Sequence, residues 1–269
     1  MSAVRPHFIL CFDFDGTLVH PEQRPSFHPL LGEMIRQLRD QGALWVINTG
    51  RSLPQTLEGL TEHGIFMLPD YIVAQECYLH RAEAEGTWSE VNPWNQSARR
   101  AHASFVRKHQ PVLAEIGNFV HSATRAEMVE GHHGEVGIVA KSSEEMQTIC
   151  EHIDRLHLQW PELGYHRNSV YLRFSHSQYG KGPALAELQR LLGIGPNRCF
   201  AAGDNYNDLS MLLASRARMI AAPGNALNTV KRQVLDQGGY VAPGEAAEGM
   251  MQALEHYFNP GRSQPARTA

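Results

Sequence analysis

Residues 8–20 read FILCFDFDGTLVH: an apolar run, Phe8 to Phe12, meets two aspartates, Asp13 and Asp15, and then Gly16. An unbroken apolar run of this length, ended by a turn residue, predicts a strand covered on both faces, as in parallel sheets. Such sheets bind ligands at the carboxyl ends of their strands. Residues two apart on an extended chain point the same way, so Asp13 and Asp15 face one site while Phe14 turns back to the core. Two carboxylates this close repel unless a cation or a shared proton relieves them. An Asx turn or a helix cap at the Asp-Gly step is the simpler alternative.

The strand is followed by a helical pattern, HPLLGEMIRQLRDQG, with apolar Leu30, Leu31, Met34, Ile35 and Leu38, Pro29 near its start and Gly42 beyond its end. ALWVINTG reads as a second buried strand, LPQTLEGLTEHG as a helix and YIVA as a third strand. Strand, helix, strand, helix, strand opens a doubly wound α/β domain, a Rossmann-like parallel-sheet core. From about residue 77 to 178 the rhythm changes. Short strands (CYLHR, TWSEV, EVGIVAK, SVYLRFS) surround two helical patterns, NQSARRAHASFVRKH and SSEEMQTICEHIDRLHLQW, which predicts an inserted α+β domain. The α/β rhythm then resumes: helix GPALAELQRLLG, strand RCFAAGD, helix NDLSMLLASR, strand ARMIAAP and a last helix, AAEGMMQALEHYF. The expected plan is a core from residues 1–76 and 179–269, split by an insertion over 77–178.

With 269 residues, 42% hydrophobic and 19% charged, the chain has an ordinary globular composition, and its net charge of −4 indicates no generally basic nucleic-acid face. No run of apolar residues is long enough to span a bilayer, and the N-terminal run is too short for a signal peptide. Cys11, Cys77, Cys150 and Cys199 show no metal-ligand spacing and read as reduced core thiols of a cytoplasmic protein. The expected partner is a small molecule, with neither nucleic acid nor membrane, and the oligomeric state stays open. His132-His133 reads as part of a polar loop, and Trp88, Trp94 and Trp160 as core aromatics of the insertion.

Three more polar clusters lie at element ends. NTGR puts Asn48, Thr49, Gly50 and Arg51 after the second strand, where a hydroxyl, backbone amides and a guanidinium can donate to an oxyanion. YGKG puts Lys181 at a helix start, where the helix terminus adds to its pull on an anion. GDNYND puts Asp204 and Asp208, with Asn205 and Asn207 between them, after a later strand. Together the aspartates make an oxygen-rich set suited to a hard cation such as Mg²⁺, with donors for an anion beside it, and phosphoryl transfer follows. Competing motifs fail. An EF-hand starting at Asp13 would need Gly and Glu where Leu18 and Arg24 stand, a P-loop ending at Lys181 would need Ser or Thr where Gly182 stands, and no G-x-S-x-G elbow occurs.

In this order, DFDGT, TGR, the lysine of KG, and GDNYND resemble the four motifs of the haloacid dehalogenase superfamily of phosphatases. The long insertion, GDNYNDLSML and APGNA are similar to its Cof-like subgroup with a type IIB cap. The resemblance covers the core, residues 8 to about 75 and 179 to about 258, and is only architectural in the insertion. It implies a Mg²⁺-dependent phosphomonoester hydrolase acting on a small phosphorylated metabolite, a sugar phosphate above all. Asp13 is then the nucleophile that forms an aspartyl-phosphate, and Asp15 the acid and then the base. Mg²⁺ is held by the Asp13 carboxylate, the Asp15 main-chain carbonyl, Asp204 and Asp208. Thr49 bonds a phosphoryl oxygen, Lys181 neutralises charge on Asp13 and the phosphate, and Asn207 orients Lys181 or a phosphate oxygen. Asn48, Gly50 and Arg51 complete the substrate contacts. A phosphomutase of the same fold and an idle binding module are the alternatives. One departure stands out: where such proteins often have Asn-Gly after the third strand, this chain has Gln75-Glu76.

Overall fold

A computed structural model of the chain describes residues 6–20, 22–23, 25–130 and 136–259. His132-His133, the first residue of EVGIVAK and the last ten residues lie outside the described residues. The elements run β1 (Phe8–Phe12), α1 (Pro29–Asp40), β2 (Ala43–Asn48), α2 (Leu53–Glu62), β3 (Tyr71–Ala74), β4 (Tyr78–Ala82), β5 (Trp88–Glu90), α3 (Trp94–Ala123), β6 (Glu127–Glu130), β7 (Val136–Val139), α4 (Ser143–Leu156), β8 (Leu163–Asn168), β9 (Tyr171–His176), α5 (Lys181–Leu192), β10 (Cys199–Ala202), β11 (Met219–Ala222), α6 (Asn228–Asp236), β12 (Tyr240–Val241) and α7 (Ala246–Phe258). They fall into two compact units, one up to Val91 and from Lys181 onward, the other Asn92–Gly180.

The larger unit is built on an eight-stranded sheet ordered β12-β11-β10-β1-β2-β3-β4-β5. The first six strands in this order pair in parallel and β4 and β5 antiparallel. Ile9–Phe12 and Cys199–Ala202 are 0% exposed, so the centre of the sheet is covered on both faces, as its unbroken apolar sequence requires. Helices supply the cover: α1 turns Leu31, Ile35 and Leu38 inward and packs against α7, which contributes Met250, Ala253 and Leu254 to the same core. The chain moves from β1 to β2 on one side and later places β10 on the other. The carboxyl end of β1 is therefore a switch point of the sheet, the place where sheets of this kind take their ligands.

β4 and β5, which carry CYLHR and TWSEV, extend this sheet instead of joining the insertion. After Ala74 the chain reverses through Gln75 and Glu76 and pairs Tyr78 with Ala74, so the division falls after Val91 and not after residue 76. The segment 207–216, expected as a helix, is a single 3₁₀ turn, Tyr206–Asp208, followed by turns. Its backbone is satisfied from α6 and the residue after it: Gln233 Nε2 donates to the Leu209 and Leu212 carbonyls, and Gln237 Oε1 accepts from the Ala214 N–H. Side chains thus take up backbone groups that a continuous helix would pair, while Met211 and Leu212 stay fully buried.

The smaller unit has a four-stranded antiparallel sheet, β6-β7-β9-β8, with α3 and α4. Its core joins Val112, Leu113, Ile116 and Val120 of α3 to Ile138, Leu172 and the inner face of α4. α3 runs on through Pro111, well past the expected end near His109, because its apolar stripe continues and burial offsets the one backbone bond a proline removes. Trp160 packs on this core, Trp94 lies beside Tyr179, and Trp88 packs against the core of the larger unit. Among the described residues no helix is long and apolar enough to cross a membrane, and all four cysteines are buried free thiols.

Candidate active site

Parallel pairing sets Phe12 beside Ala202 on one side and Ile47 on the other. The next residues of three strands therefore emerge together: Asp13, Gly203-Asp204 and Asn48-Thr49. The Asp13 N–H donates to the Ala202 carbonyl at 2.9 Å, extending the ladder by one step and fixing where its carboxylate starts.

Lys181, the first residue of α5, is fully buried, and its Nζ donates to Asp13 Oδ1 and Asp208 Oδ1, both at 2.6 Å. Asp208 Oδ2 accepts the backbone N–H groups of Asp204 and Asn205, each at 2.9 Å. Asp204 Oδ1 accepts from the Thr17 hydroxyl at 2.8 Å. One carboxylate oxygen from each of Asp13, Asp204 and Asp208 lies within 4.8 Å of the others. Gly16 makes room for this cluster: its φ is +81°, and a Cβ there would stand 2.5 Å from Asp204 Oδ2. Asn225 Nδ2 holds the same loop by donating to the Gly16 carbonyl at 2.7 Å.

Three acids against one ammonium leave a negative excess in a place mostly shut off from water. Burial, and next the charge of Asp208, push the Asp13 carboxyl well above the usual carboxylate range despite the pull of Lys181. Burial and Asp208 likewise push Asp204 up to about 7, against the Thr17 hydrogen bond and Lys181. Burial alone would lower the Lys181 ammonium, yet Asp13 and Asp208 outweigh it and hold it above its ordinary value. Crowded hard oxygen donors whose ionised forms are under-compensated fit a small divalent cation.

Asp15 leaves this cluster. Its half-exposed carboxylate takes two hydrogen bonds from Arg51, Nε at 2.8 Å and Nη2 at 2.6 Å, and the guanidinium lies 4.9 Å over the Phe14 ring, which is turned into the core as expected. Arg51 thus meets Asp15, and the cation partner of Asp13 is Lys181. Asn48 is buried beneath the lysine, donating from Nδ2 to the Lys181 carbonyl at 3.0 Å. The Thr49 hydroxyl oxygen accepts the Arg51 N–H at 3.2 Å, which leaves its hydrogen for another acceptor. Asn207 donates from Nδ2 to Glu76 Oε1 at 2.8 Å, so one of its two amide N–H groups is engaged by an acid beside Gly50. Sequence reasoning gave no role to Glu76, Thr17 or Asn225. Thr17 stood inside DGT, and the Gln75-Glu76 step after the buried YIVA strand was the signal for Glu76.

The haloacid dehalogenase-like hydrolase family model matches residues 10–77 and 106–242. The chain is 26% identical over 256 residues to the HMP-PP phosphatase of Escherichia coli K12, covering 84% of this chain and 87% of that protein. It is 24% identical over 262 residues to the 5-amino-6-(5-phospho-D-ribitylamino)uracil phosphatase of Bacillus subtilis, covering 93% and 95% respectively. Its fold is similar to the sucrose-phosphatase of Synechocystis solved with sucrose and phosphate, at a TM-score of 0.72 and 18% identity, over 93% of this chain and 98% of that one. The chain belongs to the haloacid dehalogenase-like hydrolases, as an enzyme of the phosphatase type.

Proposed function

We propose that the chain is a Mg²⁺-dependent phosphomonoester hydrolase of a small phosphorylated metabolite, a sugar phosphate above all, acting through an aspartyl-phosphate on Asp13. The observation that carries this reading is Lys181, buried and bonded at once to Asp13 and Asp208 amid three clustered carboxylates. The names of the two relatives that match most of this chain support a phosphorylated metabolite as substrate.

Asp13 offers one oxygen to Lys181 and keeps the other to attack phosphorus, dividing one hard displacement into two easier ones. Asp15, facing water, protonates the leaving oxygen and then takes a proton from the attacking water, and Arg51 sets its direction. The Thr49 hydroxyl donates to a phosphoryl oxygen, and Lys181 offsets the charge gathered on Asp13 and the phosphoryl group. Mg²⁺, held by the carboxylates of Asp13, Asp204 and Asp208 with the Asp15 main-chain carbonyl, supplies the positive charge that lets an anionic nucleophile approach an anionic phosphate. Residues 92–180 serve as a cap, and the four buried free thiols fit a cytoplasmic setting.

The test is phosphate release from a panel of sugar phosphates, nucleotides, phosphoglycerates and pyridoxal phosphate, with Mg²⁺ and with chelator. Metal-dependent release that disappears in Asp13→Asn supports the reading. Full activity of that variant, or release that ignores the chelator, overturns it.

A further inference from the structure

Asn48 is the last residue of β2 and stands one position before Thr49, the proposed donor to a phosphoryl oxygen. Phe12 and Ile47 pair across β1 and β2 and both turn into the larger core, so the residues after them, Asp13 and Asn48, face the opposite side of the sheet together. Expected among the substrate contacts, Asn48 is instead 0% exposed. What it meets is the first residue of α5: its Nδ2 donates to the Lys181 carbonyl at 3.0 Å, and lies 3.6 Å from the Met211 thioether sulfur.

The next peptide group of α5 is fixed as well. The Gly182 N–H donates to Ser210 Oγ at 3.0 Å, two residues after Asp208. The two backbones run so close there that a Cβ on Gly182 would overlap the Ser210 carbonyl. A lysine ammonium rides on a flexible four-carbon stem. Holding it 2.6 Å from both Asp13 and Asp208 therefore asks for a fixed root, which Asn48 supplies from β2 and Ser210 from the loop after Asp208. Packing alone gives no reason for an amide at position 48. Asn48 Oδ1 is buried without a hydrogen-bond partner among the described residues, a cost that a leucine of much the same shape would not carry.

We propose that Asn48 is a positioning residue: it roots Lys181 so that the ammonium stays between Asp13 and Asp208 and in register with Thr49, its own neighbour in the chain. The inference rests on the phosphatase reading above. Negative charge gathers on Asp13 and the phosphoryl group as the reaction proceeds, and a donor serves it best when already in place. A misplacement of about 1 Å can cost about 10²-fold in rate.

Asn48→Leu keeps the shape and removes the donor. On the member of the phosphate-ester panel that the wild type turns over fastest, kcat should fall by about tenfold or more while KM moves by less than about threefold, because the ammonium acts on charge that develops after binding. The second readout needs no turnover: urea unfolding in chelator gives the fold-change in unfolding constant caused by Asn48→Leu, once with Lys181 present and once in Lys181→Met. That background keeps the main-chain carbonyl that Asn48 holds, so a purely structural bond costs the same in both. A positioning role should make the fold-change at least about tenfold larger where the ammonium is present. Equal fold-changes, or wild-type kcat in Asn48→Leu, overturn this inference and leave the phosphatase reading standing. Unequal fold-changes in a wild type that releases no phosphate from any panel member sink the phosphatase reading alone, and equal fold-changes without release sink both. If Asn48→Leu does not fold, Asn48→Ala, which removes the donor without adding a branch, is read in the same way.

Discussion

Arg51 grips the Asp15 carboxylate with two hydrogen bonds, at 2.8 and 2.6 Å, while its own plane rests on the Phe14 ring. The residue between the two aspartates thus supports, from below, the cation that aims the second one. Asp15→Asn should lower kcat by about 10²–10⁴, the usual worth of a positioned acid-base group. Arg51→Lys keeps a charge but loses the fork, and kcat should fall about tenfold with a smaller change in KM. Steady-state phosphate release reads both, and an Arg51→Lys enzyme with wild-type kcat would remove the aiming role.

The acid cluster makes stability depend on pH and on divalent cation together. Asp204 is raised to about 7 and Asp13 is raised in the same direction. A carboxyl raised above its unfolded value of about 3.9 contributes stability below that value and loses the contribution as pH climbs through the folded pKa. With chelator, the melting temperature should therefore decline from about pH 5 to about pH 8. Mg²⁺ binds the ionised carboxylates, so the gap between melting curves with and without it should widen toward the higher pH. A gap that stays constant over this range would contradict the assignment of the cluster as a cation site.

Lys181 is the one cation hydrogen-bonded to Asp13 and Asp208 among the described residues. Lys181→Met strips that partner from two buried carboxylates and should cost about 3–5 kcal/mol of stability without divalent cation. Urea unfolding in chelator measures the loss, and a cost below about 1 kcal/mol would mean that the acids are compensated in another way.

Gly16→Ala adds a Cβ where φ is +81° and where it would stand 2.5 Å from Asp204 Oδ2. Either the loop or Asp204 must move, so stability should drop by about 1–3 kcal/mol. Mg²⁺ affinity should weaken as well. Calorimetric titration with Mg²⁺ alone checks this, and unchanged affinity in a folded variant would show that Asp204 is dispensable for the ion.

The core and the acid cluster could be read from the chain because they rest on local signals. β1 and β10 are apolar throughout since both faces are covered, and each of the four polar clusters follows an apolar run or opens a helix. What could not be read depends on partners distant in sequence. The segment after Asp208 has helical spacing, but Gln233 and Gln237 claim its backbone groups. The helical pattern ending at His109 stops short of where α3 ends, because Val112 and Ile116 stay buried beyond Pro111. Residues 78–90 look like the strands of an insertion, and only the reversal at Gln75-Glu76 turns them back along β3. Glu76 itself reads as an anomaly until Asn207, 131 positions away, is seen donating to it.

Asp13 and Lys181 are separated by 168 positions and Thr17 and Asp204 by 187. Contacts of such separation form late in folding, because the closure entropy of the intervening chain must be met before they hold. The reacting centre therefore exists only after both halves of the parallel sheet have found each other. On refolding, helical signal should return before Mg²⁺ affinity and turnover do. A chain still growing past residue 180 holds no cation and cleaves no ester, so its chemistry waits until β10 and the loop that follows it have been made.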